Sequence, residues 1–447
     1  MGKMPDYEKA SGIPGLMTSV ILPKPTRLPK DEKIFMNHYS PALPDTAGKT
    51  PKLAVLKIAC ILGVLSAFGP LSIDMYLPAL PNVALNLNAG ASLAQLSLTA
   101  CLFGIALGQI FVGPVSDVLG RRIPLLAGLF IYAVSSLTCV LAPTIRLFII
   151  MRFIQGLAGA AGIVISRAAV RDLYSGPEMT RFYSLLMLIN GAAPILAPVL
   201  GGQILQFTSW RGVFIVLAVI GGLMLAAVLW GFRETLPAGR RSSGNFIHTL
   251  NTFGSLIRNR NFMGCALSQG FVSAAMFAYI SGSPFVIQNI FGVSPQMFSL
   301  FFAVNGLGII IAGQITGRLA GRISERKLLM IGLAMALAGG LALLAMVLSG
   351  GGLVSILISL FFVVSSVGVV GTSSFALAMQ DQAKAAGSAS ALIGLLSFIL
   401  GGFMAPLVGI AGSHSALPMG ITIAAAETAA VICYVWLARP QHRQVTD

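Results

Sequence analysis

Three ionisable side chains stand inside apolar sequence: Asp74, Arg152 and Glu427. A charge in hydrocarbon costs about 2.5–3.5 kcal/mol on insertion scales unless it faces a cavity or a partner. Asp74 is the one acid clearly within apolar sequence in the first half of the chain. A carboxyl in that setting can take up and release a proton as its surroundings change, which is what a proton carrier needs. The residues 4, 7–8 and 11 before it are Pro70, Ala67, Ser66 and Gly63. On a helix they form one small, mildly polar face, suited to other helices rather than lipid. The competing reading is an interfacial acid whose carboxylate reaches water. Arg152 lies on a face that continues through Gln155, Gly156 and Gly159. Arginine keeps its charge when buried, so it can favour the ionised form of a nearby acid as geometry changes. It can equally serve as a fixed ion pair or carbonyl bond, and the two roles are compatible. Glu427 is a candidate second titratable site. Gln155, Asn190, Gln269 and Asn305 are candidate polar groups of a cavity.

The rest of the sequence offers little chemistry. Cys60, Cys101, Cys139, Cys265 and Cys433 all fall in apolar stretches without a CxxC pair, so they read as small hydrophobes. His38, His248, His414 and His442 are scattered through polar segments. There is no HExxH, GxSxG or Walker sequence, so no metal, cofactor or enzymatic activity is expected. The chain has 447 residues, of which 56% are hydrophobic and 10% charged. Its mean hydropathy is +0.87. Soluble domains carry roughly 25% charged residues, so this composition points to lipid as the solvent. The net charge of +15 would suggest nucleic acid only if it clustered on a soluble face, and here it lies between apolar runs.

Those runs define the elements that must position the three charges. Spans of membrane-crossing length are expected at 53–77, 92–114, 124–142, 146–168, 182–205 and 212–231. After a polar loop they resume at 262–286, 296–317, 328–348, 353–376, 388–411 and 416–438. Nearly all Lys and Arg fall in the N-terminal tail, the even-numbered loops and the C-terminus, whereas the opposite loops hold only Arg146 and Arg211. The positive-inside rule then places both termini in the cytoplasm. The two halves echo each other. Gly108-Gln109-Ile110 precedes Arg121-Arg122 as Gly313-Gln314-Ile315 precedes Arg326-Lys327. Ala197-Pro198-Val199-Leu200-Gly201 is matched by Ala405-Pro406-Leu407-Val408-Gly409. The expected organisation is a disordered cytoplasmic tail over 1–52, six-helix halves at 53–232 and 262–438, a cytoplasmic linker at 233–261 and a tail at 439–447. Met36 is a plausible alternative start.

Gly113-Pro114-Val115-Ser116-Asp117-Val118-Leu119-Gly120-Arg121-Arg122 resembles the signature loop between helices 2 and 3 of the major facilitator superfamily, with Val118 where many members carry Arg. Arg152-Phe153-Ile154-Gln155-Gly156 is similar to the helix-4 motif of its proton-coupled members. The run from Gly191 through Pro194 and Pro198 to Gly201 and Gly202 resembles the helix-5 antiporter motif, with Ala197 in place of the usual Gly. Pro70-Leu71-Ser72-Ile73-Asp74-Met75-Tyr76-Leu77-Pro78 looks like the bicyclomycin and chloramphenicol resistance branch, Bcr/CflA.

The resemblance implies an all-α membrane protein with twelve transmembrane helices in two pseudo-symmetric six-helix halves. It implies a monomeric drug:proton antiporter of the bacterial inner membrane, with small apolar drugs and protons as partners. The alternative is a transporter of a natural metabolite, such as a nucleobase or amino acid derivative. By the resemblance Asp74 and Arg152 couple protons. Gly113, Asp117, Gly120, Arg121 and Arg122 form a gating latch, with Asp117 against a helix N-terminus and the arginines against acidic partners. Plain orientation charge is the other reading of those arginines. The helix-5 residues act as a hinge or seal a leak. The topology is open to test with single cysteines in a background free of native ones. His414→Cys should react with an impermeant label from outside and Ser243→Cys should not; the reverse pattern would invert the orientation.

Overall fold

The computed structural model describes residues 52–241, 253–380, 382, 386–410, 412 and 415–438. The four histidines, Met36, Ser243 and most of both expected tails lie outside these residues. Among the described residues, eleven helices are long and apolar enough to cross a membrane, and a bent pair at the start makes twelve. The expected first span is that bent pair. It consists of α1 (Lys52–Ser66), α2 (Phe68–Asp74), a 3-10 turn (Leu77–Ala79) and α3 (Leu80–Asn86). The axis turns by 41° at Ala67. Proline explains the interruptions. Pro70 has no N–H for the Ser66 carbonyl, and the chain tightens there, with the Ala67 N–H bonded to the Val64 carbonyl at 3.1 Å. Pro78 opens the 3-10 turn and Pro81 opens α3, each in the first turn where a missing donor costs least. The segment therefore runs nine residues past the expected end at 77, and Asp74 lies further from that end than the sequence implies.

The other helices are α4 (Ala91–Leu119), α5 (Arg122–Leu141), α6 (Ile145–Leu173), α7 (Gly176–Phe207) and α8 (Trp210–Gly231). The second half holds α9 (Arg260–Pro284), α10 (Pro295–Leu319), α11 (Glu325–Leu348), α12 (Leu353–Met379), α13 (Ala386–Leu407) and α14 (Leu417–Leu437). A π-helical turn, Phe285–Ile290, ends α9. Several helices outrun their apolar windows; α7 begins at Gly176 rather than 182. Hydropathy ends where charge begins, but the backbone still satisfies its hydrogen bonds by staying helical. Side chains mark the starts: the Asn259 carboxamide accepts from the Phe262 N–H at 3.1 Å, and the Ser294 hydroxyl from the Met297 N–H at 3.3 Å.

Small residues set the packing. A Cβ on Gly156 of α6 would overlap the Cys101 carbonyl of α4, and one on Gly104 of α4 would overlap the Phe153 carbonyl of α6. The second half repeats the device, with Gly368 of α12 against the Ile309 carbonyl of α10. Helices 2 and 4 of one half thus match helices 8 and 10 of the other. Lipid offers no hydrophobic drive between helices, so this backbone approach is what holds them. The halves meet through α4 against α13 and α7 against α10. A larger side chain at Gly156 meets backbone, which cannot rotate away. Gly156→Leu should cost at least the 1–3 kcal/mol typical of overpacking, roughly, and lower the thermal midpoint of the purified protein by several degrees. A variant as stable as the parent would show that α4 and α6 do not touch there.

Candidate functional site

Arg152 is fully buried. One guanidinium nitrogen donates to the Ser72 carbonyl at 2.7 Å and the other to the Gln155 side-chain oxygen. That carbonyl is available because α2 stops at Asp74, so the last turn lacks following helical donors. The guanidinium also lies 4.4 Å from the centre of the Tyr76 ring and 5.5 Å from that of Phe214. Such contacts are worth about 2 kcal/mol or more once desolvated. Gln155 passes the network on, donating to the Ser136 hydroxyl at 2.7 Å. The Tyr76 hydroxyl pairs with Ser97 at 3.0 Å, and Tyr132 with Ser72 at 2.8 Å. Arg152 is thus bonded to a carbonyl, and among the described residues it forms no ion pair.

Asp74, two residues beyond that carbonyl, is 5% exposed and lines a cavity of about 1010 Å³. The cavity runs from Asp74 and Tyr279 past Gln109, Asn190 and Pro194 to Asp117, Arg171 and Ser388. It therefore opens at the end of the bundle that carries the basic loops. Across its floor Tyr279 stacks on Phe302, 5.4 Å apart at 16°, and its hydroxyl accepts from Asn305 at 2.9 Å.

The opposite end is closed by five hydrogen bonds between the halves, each from an uncharged side chain to a carbonyl. Ser92 donates to Pro406 at 3.3 Å, Gln95 to Ser281 at 3.1 Å and Thr99 to Gly402 at 3.1 Å. Gln288 donates to Pro78 at 3.2 Å and Gln296 to Gly202 at 3.0 Å. The helix-5 motif sits at this seal. A Cβ on Gly201 would overlap the Met75 carbonyl, and one on Gly202 would crowd Ser299 of α10. Its counterpart Gly409 lies against Ser92 and Gln95. Gly191 approaches Ile310. α7 continues unbroken through Pro194 and Pro198, so the motif packs rather than interrupts the helix.

The residues expected to latch the basic end do cluster, with partners the sequence reading missed. Arg121 donates to Asp117 at 2.6 Å, to Ser116 at 2.7 Å and to Asp172 of α6 at 2.9 Å. Glu234, just past α8, accepts from the Arg121 and Arg122 backbone N–H groups at 2.8 and 3.1 Å. Partial burial works against the Glu234 charge, but the backbone donors of Leu236, Arg121, Arg122 and Thr235 hold its carboxyl below the usual range. Arg122 reaches the Leu229 carbonyl at 2.8 Å. Gly120 has φ +91°, a conformation that ends α4 and turns these N–H groups toward Glu234. Gly113 lines the cavity. Asp117 pairs with Arg121 and, among the described residues, not with a helix N-terminus.

Three candidate cavity polars are elsewhere. Gln155 is behind Arg152, Asn305 behind Tyr279, and Glu427 is fully buried outside the cavity. Glu427 packs against Gly340 of α11, and neither carboxyl oxygen has a partner. Asn190 alone of these candidates lines the cavity, with its amide donating to the Leu186 carbonyl at 2.8 Å. Gln269 is half-buried, with a buried, unpartnered side-chain oxygen, and does not line the cavity. Tyr279, Phe302, Asp172 and Glu234 escaped the sequence reading. Tyrosines and phenylalanines abound, but the scarcity of acids, 14 in all, was a usable signal for Asp172 and Glu234.

Two six-helix halves around a central cavity, open at one end and sealed at the other, define a membrane transporter. The chain belongs to the Major Facilitator Superfamily, whose sequence profile matches residues 62–406. It is 48% identical over 367 residues to an uncharacterized MFS-type transporter, YdgK, of Bacillus subtilis, covering 82% of this chain and 91% of the relative. It is 30% identical over 376 residues to a bicyclomycin resistance protein homolog of Haemophilus influenzae, covering 84% and 94%. Among solved structures it is similar to the nucleoside transporter NupG, at 12% identity and a TM-score of 0.69, covering 86% and 98%. A bacterial homolog of the lysosomal transporter Spinster, inward-facing and occupied, matches at 14% identity and a TM-score of 0.67, covering 87% and 96%. These two likenesses concern the fold. The family and its drug-resistance relatives bear out the resemblance read from the motifs.

The seal can be loosened selectively. Each amide-to-carbonyl bond contributes about 0.5–1.5 kcal/mol, so Gln288→Ala with Gln296→Ala should shift the conformational balance several-fold to a hundredfold or so. Spin-label distances should lengthen across the seal and shorten across the basic end. An unchanged distance distribution would mean that these bonds do not hold the seal.

Proposed function

We propose that the chain is a drug:proton antiporter that exports small, largely apolar compounds by alternating access. The observation that carries this reading is the position of Asp74 at the blind end of the cavity. A carboxyl there meets whatever enters from the open end. When the seal parts and the basic end closes, the same carboxyl faces the other side. A proton taken up on one side and released on the other then drives the exchange, provided drug and proton favour different states. The cavity volume suits drug-sized molecules, for which pockets of about 300–1,000 Å³ are usual. Relatives named for bicyclomycin and chloramphenicol resistance support the drug class.

In this reading Arg152 fixes the end of α2 and so the place of Asp74. The Asp117–Arg121–Asp172 cluster with Arg122 and Glu234 is the latch of the basic end. Pro194, Pro198, Gly201 and Gly202 let α7 seat at the seal. The basic loops favour a bacterial inner membrane orientation with both termini cytoplasmic, and we take the chain to act as a monomer of two halves, 53–232 and 262–438, joined by the linker. Drug susceptibility of an efflux-deficient host, followed by transport in inverted vesicles, tests the proposal. Asp74→Asn should abolish proton-driven export while the protein still inserts. Export at the parental rate would remove Asp74 from coupling. Exchange of a nucleobase or amino acid derivative without any drug phenotype would favour the metabolite reading.

A further inference from the structure

The cavity holds two arginines that its proton chemistry does not use. Arg167 and Arg171 of α6 both line it, and both side chains are exposed into it. They continue one helical face: Ile163, Arg167 and Arg171 are four residues apart, so successive members stand about 6 Å apart along the axis. The third arginine of the cavity wall, Arg121, is taken up by Asp117 and Asp172. No ion pair among the described residues includes Arg167 or Arg171. The Tyr183 hydroxyl donates to the Arg167 backbone carbonyl at 2.9 Å, a bond that does not engage the guanidinium. The facing wall of α13 offers Ser388, Ala391, Gly394 and Leu395, with no acid among its described residues. Arginines that served only to orient the chain would turn outward toward lipid headgroups; these turn inward.

Depth can be read from the antiparallel packing of α6 on the first segment. Ile163 is level with Gly69, where a Cβ would come within 3.1 Å of its side chain, and Gly159 is level with Ser72. On that register Asp74 lies about 13 Å deeper than Arg167 along the axis. The cavity is therefore polarised lengthwise: at the mouth Arg167 and Arg171 stand beside the Asp117–Arg121 pair, the walls between are largely apolar and aromatic with Gln109 and Asn190 among them, and the Asp74 carboxyl lies at the bottom.

We propose that Arg167, backed by Arg171, is the substrate-recognising cation of the site, and that the preferred cargo carries an anionic oxygen group, such as a carboxylate, on an apolar body. The guanidinium fork matches a carboxylate bidentately, and the apolar body then points inward along Ile163 and Met276 toward Tyr279. A lipophilic cation meets like charge at the entrance. The proposal rests on the antiport reading and narrows its substrate class.

The test is equilibrium binding of radiolabelled naphthylacetate and tetraphenylphosphonium to the full chain in nanodiscs, with empty discs subtracted. The parent should bind the anion at least tenfold more tightly than the cation. Arg167→Gln should weaken anion binding at least tenfold, as expected for lost charge-assisted hydrogen bonds, and narrow the gap between the two probes. Arg167→Lys, which keeps the charge without the fork, should recover part of the loss. Equal or tighter binding of the cation by the parent, which needs no variant, overturns the proposal. So does unaltered anion binding by Arg167→Gln, or no anion binding at all. Proton-driven export of neutral drugs without anion preference would sink this inference and leave antiport standing. Anion binding through Arg167 without proton-driven movement would do the opposite.

Discussion

A guanidinium cannot shed its charge inside a membrane protein, and among the described residues no carboxylate pairs with Arg152. It is stabilised instead by a backbone carbonyl, a side-chain amide and the face of Tyr76. The rest of the cavity's blind end follows from that requirement. An intact first helix would use the Ser72 carbonyl for its own ladder. α2 ends at Asp74, so the Ser72 carbonyl lies in its last turn and becomes the cation's acceptor. Irregular backbone at this depth is tolerable only where protein groups satisfy it, and Arg152 is such a group. The interruption and the buried charge therefore stabilise each other, and Asp74 inherits its position from both. Replacing Arg152 would orphan a carbonyl as well as delete a charge.

The two ends of the bundle are fastened by different chemistry. At the basic end Arg121 joins Asp117 and Asp172 while Glu234 gathers backbone donors. These bonds tie α4, α6 and the start of the linker together on the first half's side, so they hold that half rigid while the cavity stands open. At the other end neutral amides and hydroxyls bond carbonyls of the opposite half. Glycines 201, 202 and 409 let backbones come close enough for those short side chains to reach. The ionic cluster thus shapes one body, and the neutral bonds decide how the two bodies stand.

Much of this was legible in the sequence because lipid imposes strict rules. Twelve apolar runs, alternating basic loops and isolated charges needed no packing information. Asp74 and Arg152 stood out because charge in hydrocarbon is costly wherever it falls. Their relationship did not, since every residue has a carbonyl and nothing marks Ser72 as the one left free. Asp117 was expected at a helix N-terminus and instead pairs with Arg121 four residues on, a local partner that the turn at Gly120 brings back to it. Glu427 was a fair candidate on cost alone, yet its place between α14 and α11 was invisible: the same period of residues fits a cavity face and a helix interface. Glu234 and Asp172 were missed because acids beyond the apolar windows look ordinary until the backbone donors on Glu234 and the Arg121 guanidinium on Asp172 are seen.

The neutral seal has a consequence for where such a protein can work. Ion pairs near water weaken as electrolyte rises, because mobile ions screen charges within about 8–10 Å at ordinary ionic strength. Amide-to-carbonyl bonds carry no net charge and no proton that leaves between pH 2 and 12, so they answer to neither salt nor acidity. In the orientation proposed, the seal faces the environment, whose salinity and acidity drift, and the ionic cluster faces the cytoplasm, which the cell buffers. The closure on the variable side is thus built from bonds that the weather outside does not touch.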